Sequence, residues 1–132
     1  MLRRVPEVLP PMLRILLAED DANHATLARQ ALEGDGHLIT TAPDGRAALA
    51  ALGHQVFDLI LLDMRLPGVD GREVIDRVRG GLVRRDIPIV VLTGYGLRQH
   101  LEFFSRHGVR DYLAKPYDCD ELATIVRAYD HN

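Results

Sequence analysis

Asp63 follows the apolar run Phe57-Asp58-Leu59-Ile60-Leu61-Leu62 and precedes Met64-Arg65-Leu66-Pro67-Gly68-Val69-Asp70-Gly71, which places a carboxylate where a buried strand ends and the chain turns. Two other apolar runs end in the same way: Ile15-Leu16-Leu17-Ala18 leads into Glu19-Asp20-Asp21, and Tyr112-Leu113-Ala114 leads into Lys115-Pro116. Acids gathered at one place repel, by about 4 kcal/mol for two unit charges ~4 Å apart at an effective dielectric near 20. Either a proton is shared and one pKa rises, or a divalent cation sits among the oxygens. Glu19, Asp20, Asp63, the Met64 carbonyl and water form a hard oxygen set that suits Mg²⁺, with Mn²⁺ as its substitute, and no His or Cys cluster offers softer ligands. Beside such a cation Asp63 can act as a nucleophile toward phosphorus, with Lys115 neutralising the phosphoryl oxygens. The Thr93 hydroxyl can hydrogen-bond one of those oxygens, and Gly94 leaves room for their approach.

These residues need elements that carry them to one edge. From Arg14 onward, short apolar runs alternate with segments of helical period, the pattern of βαβ units around a parallel sheet. Strands are predicted at 14–19, 37–42, 57–62, 87–92 and 109–114, and runs such as Ile89-Val90-Val91-Leu92 are continuously apolar because both faces are covered. The predicted buried helix stripes are Leu27, Ala28, Ala31 and Leu32; Ala47, Ala48, Ala51 and Leu52; Val74, Ile75 and Val78; Leu97, Leu101 and Phe104; and Leu122, Ile125, Val126 and Tyr129. Asp70 is expected to cap the third helix with Glu73 reaching back, Asp118 to cap the fifth, and Gly108 to end the fourth. Ligands of an open parallel sheet bind outside the carboxyl ends of its strands. Glu19, Asp20, Asp63, Thr93 and Lys115 all fall there.

Taken together, Glu19-Asp20, the segment Asp63 to Gly71, Thr93-Gly94 and Tyr112-Leu113-Ala114-Lys115-Pro116 resemble, in order and spacing, the receiver domain of bacterial two-component response regulators, over about residues 14 to 130. The resemblance implies a single flavodoxin-like α/β domain, (βα)5, with a five-stranded parallel sheet of order 2-1-3-4-5 and helices on both faces. It implies that Asp63 takes a phosphoryl group from a histidine kinase phosphohistidine, a phosphotransfer protein or a small donor such as acetyl phosphate, and that the domain catalyses its own phosphorylation and dephosphorylation with Mg²⁺. Asp20, Asp63 and the Met64 carbonyl match the direct metal ligands, with Glu19 acting through water. Lys115 matches the phosphoryl-binding lysine, joined to Pro116 by a cis bond. Thr93 and Tyr112 match the switch pair that resets the face formed by the fourth helix, fifth strand and fifth helix. Arg65 and Tyr95 flank the phosphoryl position with Gly94 and bear on how readily water attacks it.

The remaining sequence sets bounds. The chain has 132 residues with 47% hydrophobic content, enough for one domain, and a formal net charge of −3. That balance offers no source for the phosphate attraction that dominates nucleic-acid affinity, so direct nucleic-acid binding is not expected. Residues 1–13 read as an N-terminal tail or expression remnant, because Pro6, Pro10 and Pro11 interrupt any signal-like or membrane-spanning run, and residues 14–132 as the receiver domain. The single Cys119 suits a reducing cytoplasm. The six histidines lack ligand spacing, and Arg77, Arg79, Arg84 and Arg85 read as the solvated end of the third helix. No DNA-binding module follows Asn132, so a stand-alone regulator acting through a protein partner and a receiver excised from a larger chain are both expected forms; a homodimer through the fourth and fifth helices is also open. Two rival readings are a haloacid-dehalogenase-like phosphatase, which needs an acid where this chain has Arg65, and a phosphorylation-independent interaction module of the same fold.

Overall fold

Apolar runs with no polar face must be covered on both sides, and three of them form the centre of the sheet in a computed structural model that describes residues 12–94 and 97–129. Residues 1–11, Tyr95 and the Leu97 side chain, for which a tail, a flanking role and burial are expected from sequence, lie outside the described residues. The strands are β1 (Arg14–Ala18), β2 (Leu38–Ala42), β3 (Leu59–Asp63), β4 (Ile89–Thr93) and β5 (Asp111–Ala114), all parallel, in the order β2-β1-β3-β4-β5. This is the expected order. The helices are α1 (Ala22–Gly34), α2 (Gly45–His54), α3 (Gly71–Arg77) with a π-helical extension at Val78–Leu82, α4 (Leu97–Arg106) and α5 (Cys119–Arg127).

Side chains alternate across the strands and so divide the core in two. Leu16, Ala18, Ile60, Leu62, Ile89 and Val91 face α2, α3 and α4, where Ala48, Leu52, Val74, Ile75, Val78 and Phe104 meet them. Ile15, Leu17, Leu59, Leu61, Val90 and Leu92 face α1 and α5, where Ala25, Ala28, Leu32, Leu122 and Val126 meet them. Two expected core positions are wrong: Leu27 is 56% and Leu101 40% exposed. In α1 the buried stripe runs through Ala25, Ala28 and Leu32, which turns Leu27 outward, and in α4 it runs through Phe103 and Phe104. Ala31, Ala47, Ala51, Ile125 and Tyr129 are only partly buried.

Strand limits also move. β3 and β4 reach one residue further than expected, so Asp63 and Thr93 are the last paired residues, opposite Leu92 and Ala114. Phe57-Asp58, Ile87-Pro88 and Val109-Arg110 precede their strands as approach segments. Asp21, Asp44, Asp70 and Asp118 cap α1, α2, α3 and α5, each accepting a backbone N–H from the first turn. The reciprocal capping box forms at α5, between Asp118 and Glu121. At α3 only the Asp70 half forms; the Glu73 side chain instead lies 3.8 Å from Arg77 on the solvent face. Gly108, at φ +68°, ends α4 as expected.

Arg79 is not a solvated end. Its Nε donates to the His107 carbonyl at 2.6 Å and its Nη1 to those of Arg85 and Ile87, both at 2.7 Å, so one guanidinium ties the end of α3 to the end of α4 and the entry to β4. Arg84, by contrast, pairs with Asp86 where both side chains are more than half exposed. We expect Arg79→Met to lower the urea-unfolding free energy by about 2–4 kcal/mol, because three carbonyls lose a charged donor, and Arg84→Ala to stay within about 0.5 kcal/mol; equal losses would contradict the assigned role.

Candidate functional site

The shared register of the parallel strands brings the chemistry to one edge. Ala18 lies opposite Leu62, which puts Glu19 and Asp20 beside Asp63. The Lys115 backbone N–H donates to the Thr93 carbonyl at 2.8 Å, which fixes where the lysine leaves β5. The Lys115–Pro116 peptide is cis, as the resemblance implies. On the other flank, the Gly71 N–H donates to the Met64 carbonyl at 3.1 Å. A Cβ at residue 71 would lie 2.8 Å from the Met64 Cα and 3.0 Å from the Asp63 carbonyl, so glycine is what lets α3 begin this close to Asp63.

At the centre, Lys115 Nζ donates to Asp63 Oδ2 at 2.7 Å and to Glu19 Oε1 and Oε2 at 2.8 and 3.1 Å. The other Asp63 oxygen, Oδ1, accepts the Arg65 backbone N–H at 2.9 Å. Glu19 and Asp63 are buried, at 2% and 4% exposure, while Asp20 is open to solvent. Carboxylate oxygens of Glu19, Asp20 and Asp63 lie within 4.8 Å of one another. Ligands on opposite sides of an octahedral Mg²⁺ are ~4.2 Å apart, from bonds of about 2.1 Å, so the spacing fits one cation with slight side-chain adjustment. The donor set is all hard oxygen. Three acids against one ammonium leave a twofold negative excess, which a divalent ion matches.

The electrostatics show the strain of assembly. Burial pushes the Glu19 carboxyl above the usual range, and this outweighs the lowering by its hydrogen bonds from Lys115 and the Asp21 amide. Burial opposes the Lys115 charge as well, but hydrogen bonds and attraction from Asp63 and Glu19 prevail and hold its pKa above the ordinary lysine value. Tyr117, half-buried near the same acids, is pushed up to about 12, chiefly by desolvation. Asp21, outside the cluster, is lowered, chiefly by the backbone N–H of His24 that it caps.

Met64, Arg65, Thr93 and Gly94 line the same cleft of about 670 Å³ as Asp20 and Asp63. Tyr112 stands apart from it, 36% exposed on β5 with its ring centroid 5.6 Å from that of Phe104. Sequence reasoning missed two features. Glu19, expected from the resemblance to act on a metal through water, bonds Lys115 directly. Arg72, Gln99 and His100 also wall the cleft; the signal available was their place in the first turns of α3 and α4, the helices that open at this edge.

Fold and site together define an aspartate-centred, cation-ready parallel α/β domain. The family model described as the response regulator receiver domain matches residues 15–127, and the chain belongs to that family. It is 39% identical over 116 residues to the transcriptional regulatory protein TcrA of Mycobacterium tuberculosis, covering 88% of this chain and 45% of TcrA, so it spans less than half of that relative. A 14.6 kDa protein of Leptolyngbya boryana is 36% identical over 115 residues, with 87% and 88% covered. Among solved structures, the receiver domain of a Pseudomonas aeruginosa sensor histidine kinase, with a magnesium ion coordinated in its active-site cleft, superposes at TM-score 0.78 and 34% identity, covering 89% of this chain and 97% of that one. The chemotaxis response regulator CheY4 of Vibrio cholerae superposes at TM-score 0.82 with 26% identity, covering 89% and 98%. Among the described residues no helix is long and apolar enough to cross a membrane.

The charge pattern gives a pH test. Because its folded pKa is raised, Glu19 favours the fold below its unfolded value of 4.5 and this contribution is lost as pH rises through the folded pKa; raised Lys115 favours the fold below 10.5 and loses that contribution above it. Lys115→Met leaves two buried acids without a cation at neutral pH. We expect it to destabilise the metal-free protein by about 3 kcal/mol at pH 7 and by clearly less near pH 4, below the raised pKa of Glu19, where that carboxyl carries its proton. A deficit in denaturant unfolding that stays constant between the two would contradict this.

Proposed function

We propose that Asp63 is the phosphoryl acceptor of a two-component signalling system and that its donor is the phosphohistidine of a sensor histidine kinase or phosphotransfer protein. A carboxylate oxygen of Asp63 forms the new O–P bond as the N–P bond of the donor breaks and its electron pair stays with the imidazole. The observation that carries this reading is the Lys115 ammonium 2.7 Å from Asp63, at the edge of an acid cluster within 4.8 Å. Asp20, Asp63 and the Met64 carbonyl directly, with Glu19 through water, would hold Mg²⁺ or Mn²⁺, which when bound offsets the negative charge of the incoming group. Lys115 stays on the opposite side of Asp63 and binds a phosphoryl oxygen. Thr93, buried at the end of β4, supplies a hydroxyl to a second oxygen.

The readout is a two-state change. As Thr93 moves toward the phosphoryl group it vacates space into which Tyr112 turns, resetting the face of α4, β5 and α5 toward a downstream protein in the cytoplasm. Driving such an equilibrium from 1:99 to 99:1 takes about 5.5 kcal/mol of differential stabilisation, within reach of a few charge-assisted hydrogen bonds at about 1.5–3 kcal/mol each. Arg65 lies two residues after Asp63 in the sequence and Tyr95 two after Thr93, and substituting either with alanine is expected to change the dephosphorylation rate.

Incubation with acetyl phosphate and Mg²⁺ should add the mass of one phosphoryl group by intact-protein mass spectrometry, and Asp63→Asn or EDTA should abolish the gain. Absence of the gain in the wild type, under conditions that modify another receiver, would favour an interaction module that works without phosphorylation. Mg²⁺ alone should stabilise the fold, by about 2.7 kcal/mol at a hundredfold excess over Kd, and Asp20→Asn should remove that effect in thermal melts.

A further inference from the structure

His100 stands on α4 in the wall of the cleft that holds Asp63 and Thr93. Its Nδ1 is closed to solvent and has no hydrogen-bond partner among the described residues. A buried polar nitrogen left unpaired is unfavourable, which makes this ring arrangement one that a competing acceptor can draw away. The His100 ring lies against Phe104, centroids 5.8 Å apart and tilted by 33°. Phe104 is fully buried and lies in turn against Tyr112, centroids 5.6 Å apart and tilted by 31°. Three rings thus run from the cleft to the exposed face of β5.

The other end of α4 is pinned. His107 Nε2 lies 2.8 Å from Asp76, and Arg79 bonds the His107 carbonyl at 2.6 Å. Phe103 is held between a ring contact with His107 at 4.0 Å and the Arg72 guanidinium at 4.4 Å. A close-packed interior transmits a displacement that it cannot absorb. A change at His100 therefore bears first on Phe104, one turn along α4 and in ring contact with it.

We propose that His100 is a positioning residue that reads the phosphoryl group on Asp63: its imidazole turns to donate a ring N–H to a phosphoryl oxygen, and the resulting change in its contact with Phe104 alters the seat of Tyr112. This rests on Asp63 being the acceptor, and it adds a route to Tyr112 beside that through Thr93. The nitrogen and the ring then have separable roles. His100→Phe retains an aromatic ring on Phe104 and removes the donor; His100→Asn retains a polar N–H and removes the ring.

The test uses the full chain with ring-labelled tyrosine, the Tyr112 resonance being assigned by comparison with Tyr112→Phe, and titrates beryllofluoride in the presence of Mg²⁺. In the wild type, saturation should shift the Tyr112 signal. His100→Phe should bind beryllofluoride about fivefold more weakly, the worth of one hydrogen bond, and show a reduced Tyr112 shift at saturation. His100→Asn should bind with nearly wild-type affinity but have a Tyr112 signal already displaced toward the bound position before titration. Wild-type affinity and wild-type Tyr112 response in both variants would overturn the role of His100 alone. A wild type that ignores Mg²⁺ and beryllofluoride would overturn the phospho-acceptor reading and this one with it.

Discussion

The contact on which the site depends is the single ammonium of Lys115 lodged between two buried carboxylates, 2.7 Å from Asp63 and 2.8 Å from Glu19. Without a counter-charge, burying two carboxylates at 2% and 4% exposure would disfavour folding. Lys115 offsets part of that charge at the end of the sheet, leaving the exposed Asp20 to complete a pocket that is still short of positive charge. That shortfall is a physical reason for the pocket to attract a divalent ion.

The rest of the architecture serves to place these groups. Three central strands with no polar face carry the acids and Thr93 to a common edge, and cover by helices on both sides makes that edge rigid. The Gly71 approach closes α3 onto Met64, and the Thr93 carbonyl holds the Lys115 backbone. A network built on Arg79, Asp76 and His107, none of which lines the cleft, fastens the end of α4 to α3. The domain thus combines an ordered acid centre with one helix that is anchored at its far end and touches the cleft near its beginning.

The fold and the acid cluster were legible because both leave strong marks in sequence. Continuous apolar runs ending in Glu19, Asp63, Thr93 and Lys115 fix both the buried strands and the edge where they stop. Helix faces were less legible. Leu27 and Leu101 satisfy a helical period, yet turn outward because smaller or aromatic neighbours, Ala25 and Ala28 in α1 and Phe103 and Phe104 in α4, fit the space over the sheet. Arg79 read as a solvated charge because sequence does not show that the turn around Gly81, at φ +106°, exposes carbonyls for its guanidinium to collect. The direct Glu19–Lys115 pairing, across 96 positions of sequence, depends on side-chain geometry that spacing alone does not carry.

The central claim is that one divalent ion completes the acid pocket while Lys115 keeps its hold on Asp63. A crystal structure with Mn²⁺, located by its anomalous scattering, tests it most directly. The account predicts a single peak in bonding contact with Asp20, Asp63 and the Met64 carbonyl, with Lys115 Nζ still within hydrogen-bond distance of Asp63. A pocket that stays without a peak at saturating Mn²⁺, or an ion that displaces Lys115 from Asp63, would contradict it.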